Sequence, residues 1–153
     1  MFDKTDRDLL RELQIDSNRN TSQLSKKLGV PRTTIHNRIK HLEKEGYIKG
    51  YKAIVDGAKV GRSLTVLMGV VAGEEIGAKE LAESIRKFPQ VEDVYIVSGQ
   101  YDLIVKLRLK DTNELASLIF SIDRGIRSIH GITKTESMIV LETNKEFGVT
   151  EPI

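Results

Sequence analysis

The chain has 153 residues and a formal charge of +2, a length that suits one ordinary domain or two small ones. It has no cysteine, which excludes disulfides and thiolate metal sites, and no run of about 18 apolar residues, which excludes a membrane-spanning helix. Charge is unevenly spread: residues 1–60 hold 13 Lys+Arg against 8 Asp+Glu, and residues 61–153 hold 11 against 14, so the two halves should meet different partners.

The first residues, Met-Phe-Asp-Lys-Thr-Asp-Arg-Asp, carry no apolar signal core, and a cytoplasmic protein is expected. Residues 3–15 read as a helix, with Asp3 as its N-cap, Asp6 and Asp8 in the first turns, and Leu9, Leu10 and Leu13 as its apolar face. Asn20 and Gln23 form a capping box at the start of a second helix. Leu24 and Leu28 are its apolar stripe, and Gly29 is placed to end it in the left-handed conformation. Pro31 lacks an N–H and belongs at or just before the start of a third helix. There Ile35, Ile39 and Leu42 recur at i, i+4 and i+7 and fall on one face. The opposite face holds Thr33, His36, Asn37, Lys40 and Lys44 and no aliphatic residue.

Two helices joined by a tight turn, the second with a polar outward face, match the helix-turn-helix that enters the DNA major groove. An ordinary amphipathic surface helix has the same pattern, but charge favours DNA. From Arg19 to Lys52 there are nine basic residues and two acidic ones, an excess suited to phosphates. Arg32, Thr33, His36, Asn37 and Lys40 are expected to face the groove, with Lys44 beside them and Arg38 on the flank, meeting phosphate. Asn pairs bidentately with adenine, and Thr bonds a base edge or touches a thymine methyl. His36 reads equally well as a neutral surface histidine.

After Gly46 the chain reads as extended. Tyr47–Ile48 and Ile54–Val55 are expected as two short strands of a wing or hinge, with Tyr47 and Tyr51 packing against the helices. Gly57 and Gly61 mark a boundary. From Ser63 the period changes. Residues 64–72 are a β-branched strand, 78–88 a helix ended by Pro89, and 91–98 a strand. Residues 101–110 are a strand with Leu103, Val105, Leu107 and Leu109 inward. Residues 113–126 read as a helix carrying Leu115, Ile119, Ile122 and Ile126, and 132–142 as a last strand. The order is βαββαβ, a ferredoxin-like α+β fold. The first two strands are apolar on both faces, so a sheet face is expected to be covered by a second subunit.

Taken together, the chain resembles the Lrp/AsnC family of bacterial and archaeal transcription regulators, also called feast/famine regulators. The resemblance rests on Asp6-Arg7-Asp8-Leu9-Leu10, on 23–30 (Gln-Leu-Ser-Lys-Lys-Leu-Gly-Val) and on 38–48 (Arg-Ile-Lys-His-Leu-Glu-Lys-Glu-Gly-Tyr-Ile). In the second half it rests on Gly99-Gln100-Tyr101-Asp102-Leu103, Gly131-Ile132-Thr133-Lys134-Thr135 and Ile139-Val140-Leu141. It implies a DNA-binding domain (1–50), a hinge strand (51–62) and a βαββαβ domain (63–153) that dimerises. It also implies assembly of dimers into a higher oligomer such as an octamer, with an amino acid bound between dimers. The family usually has Ser where this chain has Pro31, so capping must fall to Thr33 or to solvent, or the helix must start a residue later.

For the effector, Ser98, Gly99, Gln100, Tyr101 and Asp102 form a turn whose backbone N–H groups suit a carboxylate, while Asp102 suits an ammonium. A plain hairpin turn uses the same residue types; the resemblance favours the effector. Thr133, Thr135 and Ser137 share one face of the last strand and offer hydroxyls. The three histidines, His36, His41 and His130, make no catalytic constellation, and no phosphate-loop or dinucleotide glycine pattern exists, so no enzyme and no cofactor are expected. Two readings remain: a regulator responding to an amino acid, and an architectural DNA-binding protein whose second domain only oligomerises.

Overall fold

The computed structural model describes residues 2–153 and divides into two compact units. One holds residues up to Ile54 together with Asn144–Ile153, and the other holds Val55–Thr143.

The helical unit has three helices, α1 (Lys4–Ile15), α2 (Thr21–Leu28) and α3 (Arg32–Lys44). Their limits follow from capping chemistry. Asp3 and Asp6 form a reciprocal capping box at the start of α1, and Asn20 and Gln23 form one at the start of α2. Gly29, at φ 65°, closes α2 in the left-handed region, where a side chain would be strained. Pro31 is the N-cap of α3 and makes no side-chain cap, so neither Thr33 nor a later start replaces the usual serine. The core is Leu9, Leu13, Leu24, Ile35 and Leu42, with Leu10, Leu28, Val30, Ile39 and Ile48 packed at its margin.

Charge ties these helices together as well. Glu12 of α1, nearly buried, accepts Arg19 and also Lys27 Nζ at 2.7 Å. The C-terminal residues, expected in the second domain, return to α1: Gln14 exchanges hydrogen bonds with Thr150 at 3.0 and 2.8 Å, and Arg11 Nε meets Glu151 at 2.6 Å.

The expected wing strands are not formed. Residues 47–56 adopt no strand, and Ile54 and Val55 are well exposed. Short β-branched runs become a strand only when a neighbour completes the ladder, and the described residues offer them none. Tyr47 instead stacks on Phe2, with ring centroids 4.9 Å apart.

The second unit is β1 (Leu64–Ala72), α4 (Ala78–Ile85), β2 (Val91–Ile96), β3 (Leu103–Leu109), α5 (Thr112–Phe120), a short 3₁₀ helix (Ile126–Ser128) and β4 (Ile132–Ile139). The antiparallel sheet has the order β2-β3-β1-β4, as a βαββαβ chain requires. Val66, Met68 and Val70 pair with Leu107, Val105 and Leu103. All six are fully buried with Leu81, Ile85 and Ile126.

One expectation fails here. α5 stops at Phe120, so Ile122 is 89% exposed rather than part of the core, and Leu118 takes the inward place. Ile126 reaches the core through the 3₁₀ turn. Gly125 makes that turn feasible, because a Cβ there would lie 2.5 Å from the Ser121 carbonyl oxygen. The open sheet face mixes apolar and charged side chains, with Lys106 and Arg108 outward as the alternation of β3 requires. Leu67, Tyr95 and Met138 are exposed on it, but Lys106 and Arg108 reach Glu92 across β3 and β2 at 3.4 and 3.1 Å. Burial raises the Glu92 pKa, but the two cations outweigh it and hold the carboxyl below its ordinary range.

Candidate nucleic-acid interface and effector turn

At 3.6 residues per turn, burying Ile35 and Leu42 turns the opposite side of α3 outward. Thr33, His36, Asn37, Lys40 and Lys44 are all exposed there, and Arg32, in the first turn and in line with Ile39, is exposed as well. The first-turn N–H groups of α3 receive no side-chain cap, so the positive end of the helix dipole is open.

Arg38 departs from its expected place on the flank. It stands three residues after Ile35 and four before Leu42, on the inward side. Its Nη2 meets Asp3 Oδ2 at 2.8 Å and its Nη1 meets Asp6 Oδ1 at 2.9 Å. Both bonds raise the guanidinium pKa, and the Arg38 bond holds Asp3 below its ordinary value. Of the nine cations between Arg19 and Lys52, Arg19, Lys27 and Arg38 are therefore engaged with α1 carboxylates or, for Arg19, also Asp16. Lys52 lies 5.6 Å from the Phe147 ring centroid. Tyr51 donates to Glu43 Oε1 at 3.0 Å, and burial together with that carboxylate pushes its phenol up to about 12. Tyr51 is thus tied to α3 by its hydroxyl while its ring stays half exposed, not packed against the helices as expected.

In the sheet unit, Ser98, Gly99 and Gln100 are exposed beyond the β2–β3 edge, with Gly99 at φ 122°. The turn closes by a Val97 N–H bond to the Asp102 carbonyl at 3.0 Å. Asp102 is built into the sheet. Its N–H donates to the Val70 carbonyl at 2.9 Å, and its Oδ2 accepts the Ala72 N–H at 2.8 Å. That second bond falls where the β1–β4 register slips between Val71 and Ala72. Ala72 lies past Val70–Leu103, the last β1–β3 pair, so the Asp102 carboxylate supplies the partner that its N–H lacks beyond the end of that ladder.

Tyr101 lies over Gly69 of β1: a Cβ at position 69 would sit 2.6 Å from the ring. Its hydroxyl donates to Glu136, which raises the Tyr101 pKa; the same bond, with help from Lys134, lowers that of Glu136. Glu136 pairs with Gly69 across the ladder and so shares the open face. Thr135 and Ser137 pair with Val70 and Met68, which face the helices. The grouping of these two hydroxyls with the turn is thus not what the sheet presents, because β4 alternates: the residue beside Tyr101 is Glu136. The odd–even alternation of β4 already sets Glu136 on the face opposite Thr135 and Ser137; the β1–β4 register adds that this is the face of Tyr101. Thr133 donates to the Val71 carbonyl at 3.1 Å, at the bulge. Among the described residues no cluster of His, Asp and Glu fits a metal ion, and no helix is long and apolar enough to cross a membrane.

Residues 64–150 match the Lrp/AsnC ligand-binding domain, and residues 2–49 match a winged helix-turn-helix DNA-binding domain. An HTH-type transcriptional regulator of Pyrococcus abyssi is 37% identical over 148 residues, covering 95% of this chain and 97% of that one. Another, from Pyrococcus horikoshii, is 36% identical over 147 residues, covering 95% and 93%. A transcriptional regulator of Neisseria meningitidis, solved as its L-Met complex, is 27% identical with a TM-score of 0.89, covering 100% and 97%. Escherichia coli AsnC shares the fold, with a TM-score of 0.87 over 99% of each chain at 23% identity.

Proposed function

Because this chain belongs to the Lrp/AsnC family of transcription regulators, which are not enzymes, we propose that it binds double-stranded DNA through α3 as a homodimer and responds to an amino-acid effector held near the 98–102 turn. The observation that carries the DNA reading is the outward face of α3, where Thr33, His36, Asn37, Lys40 and Lys44 are exposed and no aliphatic residue interrupts them, with Arg32 exposed in the first turn. Asn37 and Thr33 are the base readers; Lys40, Lys44 and the open first turn hold phosphates.

The dimer is supported by the exposed apolar side chains Leu67, Tyr95, Met138, Ile54 and Val55, which a second copy would cover. Assembly of dimers into an octamer would bring effector turns together. For the effector, the backbone after Gly99 would take the carboxylate. The ammonium would fall to Asp102 Oδ1 and to Glu136, whose carboxyl Tyr101 and Lys134 hold below its ordinary range. The Neisseria relative was solved as its L-Met complex, which supports the ligand class.

The test is a calorimetric titration of the purified protein with the common amino acids, followed by DNA binding across a salt series. Binding of one amino acid and steep loss of DNA affinity with salt are expected. A second reading, in which the sheet unit only oligomerises, is favoured by Asp102 already serving the Ala72 N–H. Asp102→Asn separates the two. A lost charge-assisted bond is worth about 1.5–3 kcal/mol, so effector affinity should fall roughly 10- to 100-fold with assembly intact. Altered oligomer size with unchanged intrinsic affinity would favour the second reading.

A further inference from the structure

The capping box of α1 does more than start a helix. Asp3 Oδ1 accepts the Asp6 N–H and Asp6 Oδ2 accepts the Asp3 N–H, each at 3.0 Å. That occupies one oxygen of each carboxylate. The two remaining oxygens, Asp3 Oδ2 and Asp6 Oδ1, grip the two terminal nitrogens of Arg38 at 2.8 and 2.9 Å. All four oxygens are therefore engaged. The Asp6 side chain is only 3% exposed, and a buried charge requires such a partner.

The geometry matters because α3 has few other directional anchors. Ile35 and Leu42 hold it by apolar burial, which is non-directional. They set the depth of the helix but tolerate small rotations and slides. A planar guanidinium held by two carboxylates resists both. A rotation of about 20° moves a side-chain tip, about 5–6 Å from the helix axis, by about 2 Å. A hydrogen bond tolerates a few tenths of an ångström. A small turn of α3 would thus cost base contacts. Diffuse attraction to phosphates would persist, because charge acts at longer range.

We propose that the Asp3–Asp6–Arg38 clamp is a positioning device that fixes the rotational setting of α3, so that it governs discrimination between DNA sequences rather than affinity for the phosphate backbone. The inference rests on the reading of α3 as the base-reading helix. It assigns Arg38 no contact with DNA.

The experiment uses the full chain. A preferred duplex is selected from a random pool with the wild type. Affinities for it and for a scrambled duplex of equal length are then measured for wild type, Asp3→Asn, Arg38→Lys and Asn37→Ala, with salt slopes. Asn caps a helix as well as Asp, so Asp3→Asn keeps the helix start and removes one grip. Lys keeps the charge of Arg38 but loses the two-nitrogen fork.

Both clamp variants should lose about 10-fold on the preferred duplex, the scale of one base contact, and stay within about twofold on the scrambled one, with unchanged salt slope. A core variant such as Leu13→Val, matched in melting temperature, should leave the ratio of the two affinities unchanged. Equal loss on both duplexes, or a shallower slope for Arg38→Lys, would overturn the proposal, as would an unchanged ratio in folded variants. Should Arg38→Lys fail to fold, Asp3→Asn decides; should that also fail, the clamp is a folding determinant and the positioning role is overturned. If Asn37→Ala leaves base preference intact, the reading of α3 falls and the proposal with it. If Asn37→Ala relaxes preference and Asp3→Asn does not, only the clamp falls.

Discussion

The helical unit buries five aliphatic side chains, Leu9, Leu13, Leu24, Ile35 and Leu42, whereas the sheet unit buries thirteen apolar residues in one cluster. Charge follows the opposite pattern. Among the described residues, Asp6 and Glu12 are buried in the helical unit, while the sheet unit buries a single polar residue, Thr65. The sheet unit has its orientation set by a ladder, where a slip of one residue would turn Val66, Met68 and Val70 to the wrong face. Three short helices have no ladder. A small apolar core leaves their mutual rotation loosely defined, and carboxylates reaching Arg38, Arg19 and Lys27 supply the missing direction. Buried ion pairs add little net stability; here they choose among arrangements.

The comparison is tested most severely by the same cavity in each core. Leu24→Ala and Leu107→Ala each remove a fully buried leucine and should cost about 2–5 kcal/mol. The helical unit has the smaller reserve, so Leu24→Ala should produce a separate early transition in calorimetry, with loss of DNA binding and the sheet transition in place. Leu107→Ala should lower the sheet transition. A single unchanged transition in both variants would show that the units do not melt separately.

A second test reaches the open face. In Gly69→Ala the new methyl would meet the Tyr101 ring at 2.6 Å, so the ring must move and its bond to Glu136 must break. Overpacking of this kind costs about 1–3 kcal/mol. The Tyr101 pKa should then move down toward the ordinary phenol range, read by ultraviolet titration. An unshifted titration would place the ring elsewhere.

Acid should act on both units, through different groups. Asp3 is held below its ordinary pKa chiefly by Arg38, and Glu114 chiefly by the Lys110 N–H. A lowered carboxyl pKa means that the unfolded state binds more protons in the window between the two values. The stabilisation is therefore complete above the ordinary carboxylate range and fades as pH falls through the depressed values. Melting curves between about pH 6 and 2 should show this loss, and Asp3→Asn should flatten it for the helical unit alone. Equal flattening in both units would contradict the assignment.

The smallest effect is expected at Ile122. Because α5 ends before it and the side chain is 89% exposed, Ile122→Ser should change stability by no more than about 0.5 kcal/mol. A loss comparable to Leu107→Ala would show that Ile122 is covered in the assembled protein.

The residues alone determined what depends on near neighbours. The Asn20–Gln23 capping box, the left-handed Gly29, the outward polar face of α3 and the alternation of β3 all follow from contacts within a few positions. These were legible because helix and strand periods place such residues together whatever the rest of the chain does. Tertiary structure decided what depends on distant partners. Residues 47–56 are not strands because no neighbour completes their ladder, and α5 ends early because Gly125 lets the chain turn Ile126 into the core. Arg38 reads as a phosphate ligand until α1 presents two free carboxylate oxygens, and Glu136 replaces Thr135 and Ser137 beside Tyr101 because the β1–β4 register sets which face meets the ring. Local periodicity specifies faces; only packing specifies what each face meets.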